Sequence, residues 1–85
     1  MANTDAKATA AKDLAAAELK LKNTNGQITS YEQLIAREQP LADRSKYLAK
    51  AIRLGSIRKT QSLIDDLKKR AVEEQAEIDR LKALI

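Results

Sequence analysis

An aliphatic residue recurs every seven positions through the first half of the chain, at Leu14, Leu21, Ile28 and Ile35. Smaller or less apolar residues occupy the intervening positions of the same stripe: Ala10, Ala17, Thr24 and Tyr31. This spacing is the heptad pattern of a helix that packs along one seam against another helix. The pattern keeps its phase across Asn25-Gly26, a dipeptide that otherwise favours tight turns. We therefore predict one helix through this dipeptide, at a local cost of about 2 to 3 kcal/mol from the glycine, asparagine and threonine residues of stretch 21–29.

The second half of the chain carries two apolar stripes that are slightly out of register. The longer stripe comprises Ile57, Thr60, Ile64, Leu67, Ala71, Glu74, Ile78, Leu81 and Ile85. The shorter stripe precedes it and comprises Leu41, Ser45, Leu48 and Ile52. An insertion of four residues near Ser56 would join them, as in the stutters that locally unwind coiled coils. Alternatively, Gly55-Ser56 ends one helix and caps the next, which would give three helices.

Pro40 is the only proline of the chain and the best candidate for a reversal between the two halves. Proline disfavours helix at the preceding residue, but it is well suited to the first turn of a new helix. The predicted fold class is therefore all-α: a long, coiled-coil-like antiparallel helical hairpin that reverses near Pro40. We predict one domain, residues 1–85, with a first arm over about 5–38 and a second over about 41–85, and residues 1–4 as a candidate disordered segment.

A reversal at Pro40 predicts which residues face each other across the hairpin. Ile28 would lie opposite Ile52, and Leu14 opposite Leu67. Gly26 and Gly55 would fall at nearly one level, which predicts a thin layer of small residues halfway along the molecule. The C-terminal segment 77–85 would lie at or beyond the end of the first arm and would lack an internal partner.

Self-association is expected on two grounds. A chain of 85 residues buries only a modest part of its surface when it folds alone. The C-terminal stripe, without a partner in its own hairpin, would supply the contacts to a second copy. The predicted oligomer seam comprises Ile64, Leu67, Ile78, Leu81 and Ile85. For Ile64 and Leu67, closure of the hairpin itself is an equal alternative.

The composition argues against catalysis. The chain contains no cysteine and no histidine, so the usual bases, thiol nucleophiles and transition-metal ligands are missing. With Gly26 and Gly55 as the only glycines, there is no glycine-rich phosphate loop. Asp65 and Asp66 precede Lys69 and Arg70 by four residues, the spacing of weak ion pairs on an exposed helix. We predict no enzymatic activity, no catalytic or metal residues and no cofactor.

One charge feature is unusual: segment 44–64 holds six basic residues and no acidic one. We call these residues the basic collar: Arg44, Lys46, Lys50, Arg53, Arg58 and Lys59. The collar is either solvated helix surface or a docking site for an acidic protein partner. Nucleic-acid binding is an alternative, against which the lack of interleaved aromatic residues argues. A membrane surface is disfavoured, because the apolar stripe is narrow and has no tryptophan or phenylalanine anchors.

These features together predict a non-enzymatic interaction protein with a structural or assembly role, such as a small virion, scaffolding or adaptor component. It would act by helix–helix packing and by docking the basic collar on an acidic partner. Two alternatives are a small nucleic-acid-binding protein that uses segment 44–59 and a small inhibitor of a partner enzyme. The N-terminal segment has no apolar run long enough for a signal peptide, so we expect a cytoplasmic protein or part of a particle assembled there.

Overall fold

Two long α-helices joined by a short turn form the molecule in the computed structural model. The structure describes the backbone of residues 2–85 and the side chains of residues 5–85. Helix α1 spans Ala2–Arg44, and helix α2 spans Tyr47–Ala83. The all-α antiparallel hairpin is therefore confirmed, and α1 runs through Asn25-Gly26 without a turn. Of the candidate disordered segment 1–4, Met1 lies outside the described residues.

The hairpin is a rod. Its principal extents are 69 × 15 × 12 Å, and its radius of gyration is 19.4 Å. A compact domain of the same length would have a radius of gyration of about 12 Å. The long extent follows from helix geometry, because 43 residues of α1 rise about 65 Å at about 1.5 Å per residue. A rod with one seam has no wide core and exposes most of its residues.

The side chains between the two helices follow one unbroken heptad pattern on each arm. On α1, the seam positions, each buried or half-buried, are Ala10, Leu14, Ala17, Leu21, Thr24, Ile28, Tyr31, Ile35, Glu38 and Ala42. On α2, they are Arg53, Ile57, Thr60, Ile64, Leu67, Ala71, Glu74, Ile78 and Leu81. Leu34, Leu54 and Gly55 are also half-buried but lie outside this heptad spacing. Helix α2 is continuous through Gly55-Ser56, so the three-helix alternative is wrong. No stutter is needed, because Arg53 and not Ile52 takes the seam position before Ile57.

The reversal lies near Pro40, as predicted, but just beyond it, at Ser45-Lys46. Pro40 is inside α1. The heptad phase of α1 continues past the proline and places Ala42, which is fully buried, in the seam. The Ser45 backbone N–H donates to the carbonyl oxygens of Leu41 and Ala42 at 3.0 and 3.1 Å, and the Ser45 hydroxyl also donates to Leu41. These bonds satisfy carbonyl groups at the end of the helix.

The later turn changes which residues face each other. Ile28 packs on Ile64 and Leu67, and Ala17 packs on Ile78 and Leu81. The prediction that Ile28 faces Ile52 is therefore wrong. When the turn of a hairpin moves by one residue along the chain, the residue that faces a given position moves by two. The C-terminal segment accordingly has an internal partner, contrary to our expectation.

The glycines do not form a thin layer. Thr24 is level with Glu74 and not with the region of Gly55, so Gly26 and Gly55 lie at different heights of the rod. A Cβ atom built on either glycine would meet no atom within 4 Å. Close helix approach therefore does not explain the two glycines, and the predicted small-residue layer is wrong.

One polar contact crosses the seam in its middle. The hydroxyl of the buried Thr24 donates to the carboxylate of the half-buried Glu74 and also lies 3.1 Å from the Lys20 carbonyl oxygen. Thr60 is buried too, and its hydroxyl donates within α2 to the Ser56 carbonyl oxygen at 2.9 Å. A polar pair inside an apolar seam favours the one register that brings its members together.

Candidate docking surface in the turn half

The seam layer of Ile28 and Ile64 divides the rod into two halves of different charge. We call residues 27–64 the turn half, and residues 1–26 with 65–85 the open half. The turn half holds seven basic and three acidic side chains, so it carries the whole formal net charge of +4. The open half holds nine of each sign and is neutral. The charge asymmetry seen along the sequence is thus an asymmetry between the two ends of the rod.

The basic collar surrounds the turn. Arg44 ends α1, and Lys46 is in the turn with extended backbone angles, φ −123° and ψ 151°. Lys50, Arg58 and Lys59 are exposed on α2. Arg53 differs from the others, because it occupies a half-buried seam position and its guanidinium donates to the Glu38 carboxylate at 3.0 Å, with 39% of the Arg53 side chain exposed. Five of the six collar cations therefore point to solvent, and one closes the hairpin near the turn.

Large apolar side chains are exposed in this same part of the molecule. Their exposed fractions are 41% for Leu41, 91% for Tyr47, 73% for Leu48 and 64% for Ile52. The sequence pattern placed Leu41, Leu48 and Ile52 in the seam, which is wrong. These three residues lie outside the seam because the two long heptad stripes, continued toward the turn, place Glu38 and Arg53 at the seam positions. The short stripe of Leu41, Leu48 and Ile52 is out of register with the long stripe that begins at Ile57. This difference in register was the sequence signal that the short stripe is exposed.

A shallow groove of about 440 Å³ runs between the helices beside these residues. Its lining comprises Leu34, Glu38, Ala49, Ile52, Arg53 and Ser56. Leu41 follows Leu34 by seven residues and Leu48 precedes Ile52 by four, so each lies on the same side of its helix as a lining residue. We call this set the apolar flank: Leu34, Leu41, Leu48, Ala49 and Ile52. The Glu38–Arg53 ion pair forms the polar part of the groove.

Basic residues border the apolar flank on both helices. Arg37 and Arg44 follow Leu34 and Leu41 by three residues, which places them on the outer edge of the flank on α1. Lys59 follows Ile52 by seven residues, on the corresponding side of α2. All three cations are exposed. Sequence reasoning missed Arg37, because the collar was defined as a run without acidic residues, and Glu38 and Asp43 separate Arg37 from that run.

The two tyrosines differ in their surroundings. Tyr31 is half-buried and packs against the cluster of Ile28, Ile64 and Leu67. Tyr47 begins α2 with a φ of 56°, in the left-handed region, and its side chain is almost fully exposed. Tyr31 is thus part of the seam, whereas Tyr47 adds an aromatic ring to the surface of the turn.

The predicted oligomer seam is mostly internal to the hairpin. Ile64, Leu67, Ile78 and Leu81 are buried against α1, and Ile85 alone of the set is exposed. Contact with a second copy through the four buried residues would require the hairpin to open. They therefore hold the two arms of one chain together in this structure.

The open half presents mixed charge. At its end, Arg80 donates hydrogen bonds to Glu77, and these bonds lower the pKa of the Glu77 carboxyl and raise that of Arg80. An exposed pair of this kind contributes little to stability. The described side chains contain no group of three acidic residues arranged to hold a metal ion. Neither helix, over residues 2–85, has a stretch apolar enough to cross a membrane.

Comparison of the chain with protein-family models, with curated proteins and with solved structures finds no match. The turn half brings together an apolar flank, a basic border and an exposed tyrosine.

Proposed function

We propose that this chain is a non-enzymatic interaction protein with a structural or assembly role, which docks with its turn half on an acidic protein partner. One observation carries the proposal: the whole net charge and the four most turn-proximal exposed apolar side chains, Leu41, Tyr47, Leu48 and Ile52, occupy the same end of the rod. Apolar contact area with a charged border is the usual make-up of a protein-binding surface.

The rod shape supports the same proposal. The seam orders the two arms, and the turn half projects from the neutral open half along an axis of 69 Å. Such a molecule bridges components that are held apart, as a structural or adaptor protein does. Blocking of a partner enzyme would be another consequence of docking by the same surface.

Site-specific photo-crosslinking tests the proposal in cells that produce the chain. A photoreactive phenylalanine derivative replaces Tyr47 in one variant and Val72, also exposed but in the open half, in a matched control. We expect an adduct with an acidic protein from position 47 and none from position 72. Equal adducts from both positions, or none from position 47, would contradict docking by the turn half.

A charge-reversal pair gives the second test. Lys46→Glu with Lys50→Glu removes collar cations, and Lys68→Glu with Lys69→Glu changes the net charge equally in the open half. We expect the first pair to abolish the adduct from position 47 and the second to leave it. The same loss with both pairs would show that total charge, and not the turn half, governs binding.

Nucleic-acid binding is the second candidate, favoured by the six basic residues without an acidic one in segment 44–64. It explains the collar but gives no role to the exposed apolar side chains. Sedimentation with a short generic DNA duplex separates the two candidates. Co-sedimentation that disappears with rising salt, and with the exposed pair Lys46→Glu plus Lys50→Glu, would make nucleic acid the leading function.

A further inference from the structure

We propose that the groove beside the apolar flank binds an acidic amphipathic helix of the partner protein. This inference rests on the proposed function and names the chemistry of the partner. The bound helix would lie along α1 and α2 in the turn half as a third helix, with its apolar face on the flank and acidic residues on both of its sides.

The first support is the amount of uncovered surface. The chain exposes 6555 Å², whereas a compact monomer of 9.4 kDa exposes about 5,000 Å². The rod shape accounts for this additional exposed surface. Within that surface, the apolar flank is the place where exposed leucine and isoleucine side chains lie beside one groove. The additional exposed surface is larger than the area of about 800 Å² that each partner buries in a standard interface.

The second support is shape. Two packed helices form a long concave surface on each side of their seam, into which a third helix fits with apolar anchors at every third or fourth residue. The flank extends over residues 34–41 of α1 and 48–52 of α2. Leu34, Ala49 and Ile52 line the groove, and Leu41 and Leu48 lie beside it on the same sides of their helices, so each side of an incoming helix meets an apolar wall.

The third support is charge, which also selects among occupants. Arg37, Arg44 and Lys59 border the flank, and the only carboxylate in the groove, that of Glu38, already pairs with Arg53. Acidic residues on the sides of the bound helix would therefore find cations on both edges. A second copy docked by the same face would bring two turn halves of +4 together, and nucleic acid would leave the apolar floor unused.

A synthetic helix of about 18 residues, with leucine at every third or fourth position and glutamate on both sides, is the probe. A matched peptide carries lysine in place of each glutamate. Binding to the full chain is measured by fluorescence anisotropy of the labelled peptide. The groove variant is Ile52→Ser, and its control is Leu19→Ser, because Leu19 is similarly exposed, at 59%, but lies in the open half. Circular dichroism checks that both variants keep their helices.

We expect the glutamate peptide to bind and the lysine peptide not to bind. Ile52→Ser should weaken binding about tenfold or more, as the loss of one buried aliphatic anchor does, and Leu19→Ser by less than about twofold. Arg44→Glu should weaken binding of the glutamate peptide, because it removes a cation at the edge of the flank.

Several results would overturn the inference. Equal affinity of wild type and Ile52→Ser for the glutamate peptide would exclude the groove, and equal affinity for both peptides would exclude selection by charge. Ile52-dependent binding to phosphatidylserine vesicles in place of the peptide, or an Ile52-dependent dimer in sedimentation, would assign the flank to lipid or to a second copy. The proposed function fails separately, by the absence of adducts from position 47, so the two failures are distinguishable.

Discussion

Among single residues, Thr24 and Glu74 favour one alignment of the two arms, because their hydrogen bond joins α1 to α2 inside the seam. Thr24→Val removes the donor and leaves a half-buried carboxylate with one partner fewer, so we expect a loss of about 1 kcal/mol in the free energy of unfolding. Glu74→Leu should raise stability by about 1 to 2 kcal/mol, since it adds apolar area to the seam.

A double-mutant cycle in urea, followed by circular dichroism, measures the coupling between the two residues. In the Glu74→Leu background, Thr24→Val should no longer destabilise, because no carboxylate then loses a donor. An equal loss from Thr24→Val in both backgrounds would contradict the role of the pair.

The backbone of Tyr47 has a conformation that costs free energy of folding, with a φ of 56°. A non-glycine residue in the left-handed region costs about 1 to 2 kcal/mol, and the exposed Tyr47 ring has little packing to lose. We expect Tyr47→Gly to raise the free energy of unfolding by about 0.5 kcal/mol, after the entropy cost of glycine. Leu48→Gly, at the next and also exposed helical position, should lower it by about 1 kcal/mol. Equal losses at both positions would argue against the left-handed conformation.

At the scale of the helices, Pro40 is the sharpest test of where α1 ends. A proline inside a helix removes one hydrogen bond and crowds the preceding turn, at a cost of about 3 kcal/mol. We therefore expect Pro40→Ala to raise the free energy of unfolding by about 1 to 3 kcal/mol, with the exposed Gln39→Ala as a near-neutral control. Thermal unfolding of both variants gives the comparison. A loss of stability in Pro40→Ala would indicate that the proline begins a helix.

The glycines offer a second test of the two continuous helices. Both have open space at the Cβ position, so an added methyl group meets no neighbour and only the helix propensity changes. Gly26→Ala and Gly55→Ala should each stabilise by about 0.5 to 1 kcal/mol, and the two effects should add. Destabilisation by Gly55→Ala would point to a break in α2 at that residue.

The helical elements were largely readable from the sequence, whereas their alignment was not. The heptad stripes that contain Leu14 and Ile64 identified both arms and the hairpin. The turn lies about five residues beyond Pro40, because proline, a strong stop signal in sequence, is accommodated inside α1, and Ala42 is too small to show in the apolar pattern. The apolar flank was missed for a different reason: Ile52 is more apolar than Arg53 and was assigned to the seam. The arginine takes the seam position because the heptad spacing places it there, opposite Glu38, with which it pairs.

At the scale of the whole molecule, the C-terminal part of α2 closes the open half of the rod. Ile78 and Leu81 are each 3% exposed and pack on Ala17. A buried, unpaired charge costs several kcal/mol, so Ile78→Asp or Leu81→Asp should reduce the helical circular dichroism signal strongly. Ile85→Asp, at an exposed position, should leave it unchanged. Full helix content with a lower sedimenting mass in the first two variants would instead identify them as contacts between copies.

The uneven charge of the rod also affects the motion of the molecule before any contact forms. In the field of an acidic surface, a rod with its charge at one end experiences a torque that rotates that end forward. Under the proposed docking, an approaching molecule would arrive with its turn half toward the partner, and a larger fraction of encounters would lead to binding. Because salt screens such fields beyond about 8 Å at physiological strength, it would slow the capture of the partner more than it shortens the life of the complex.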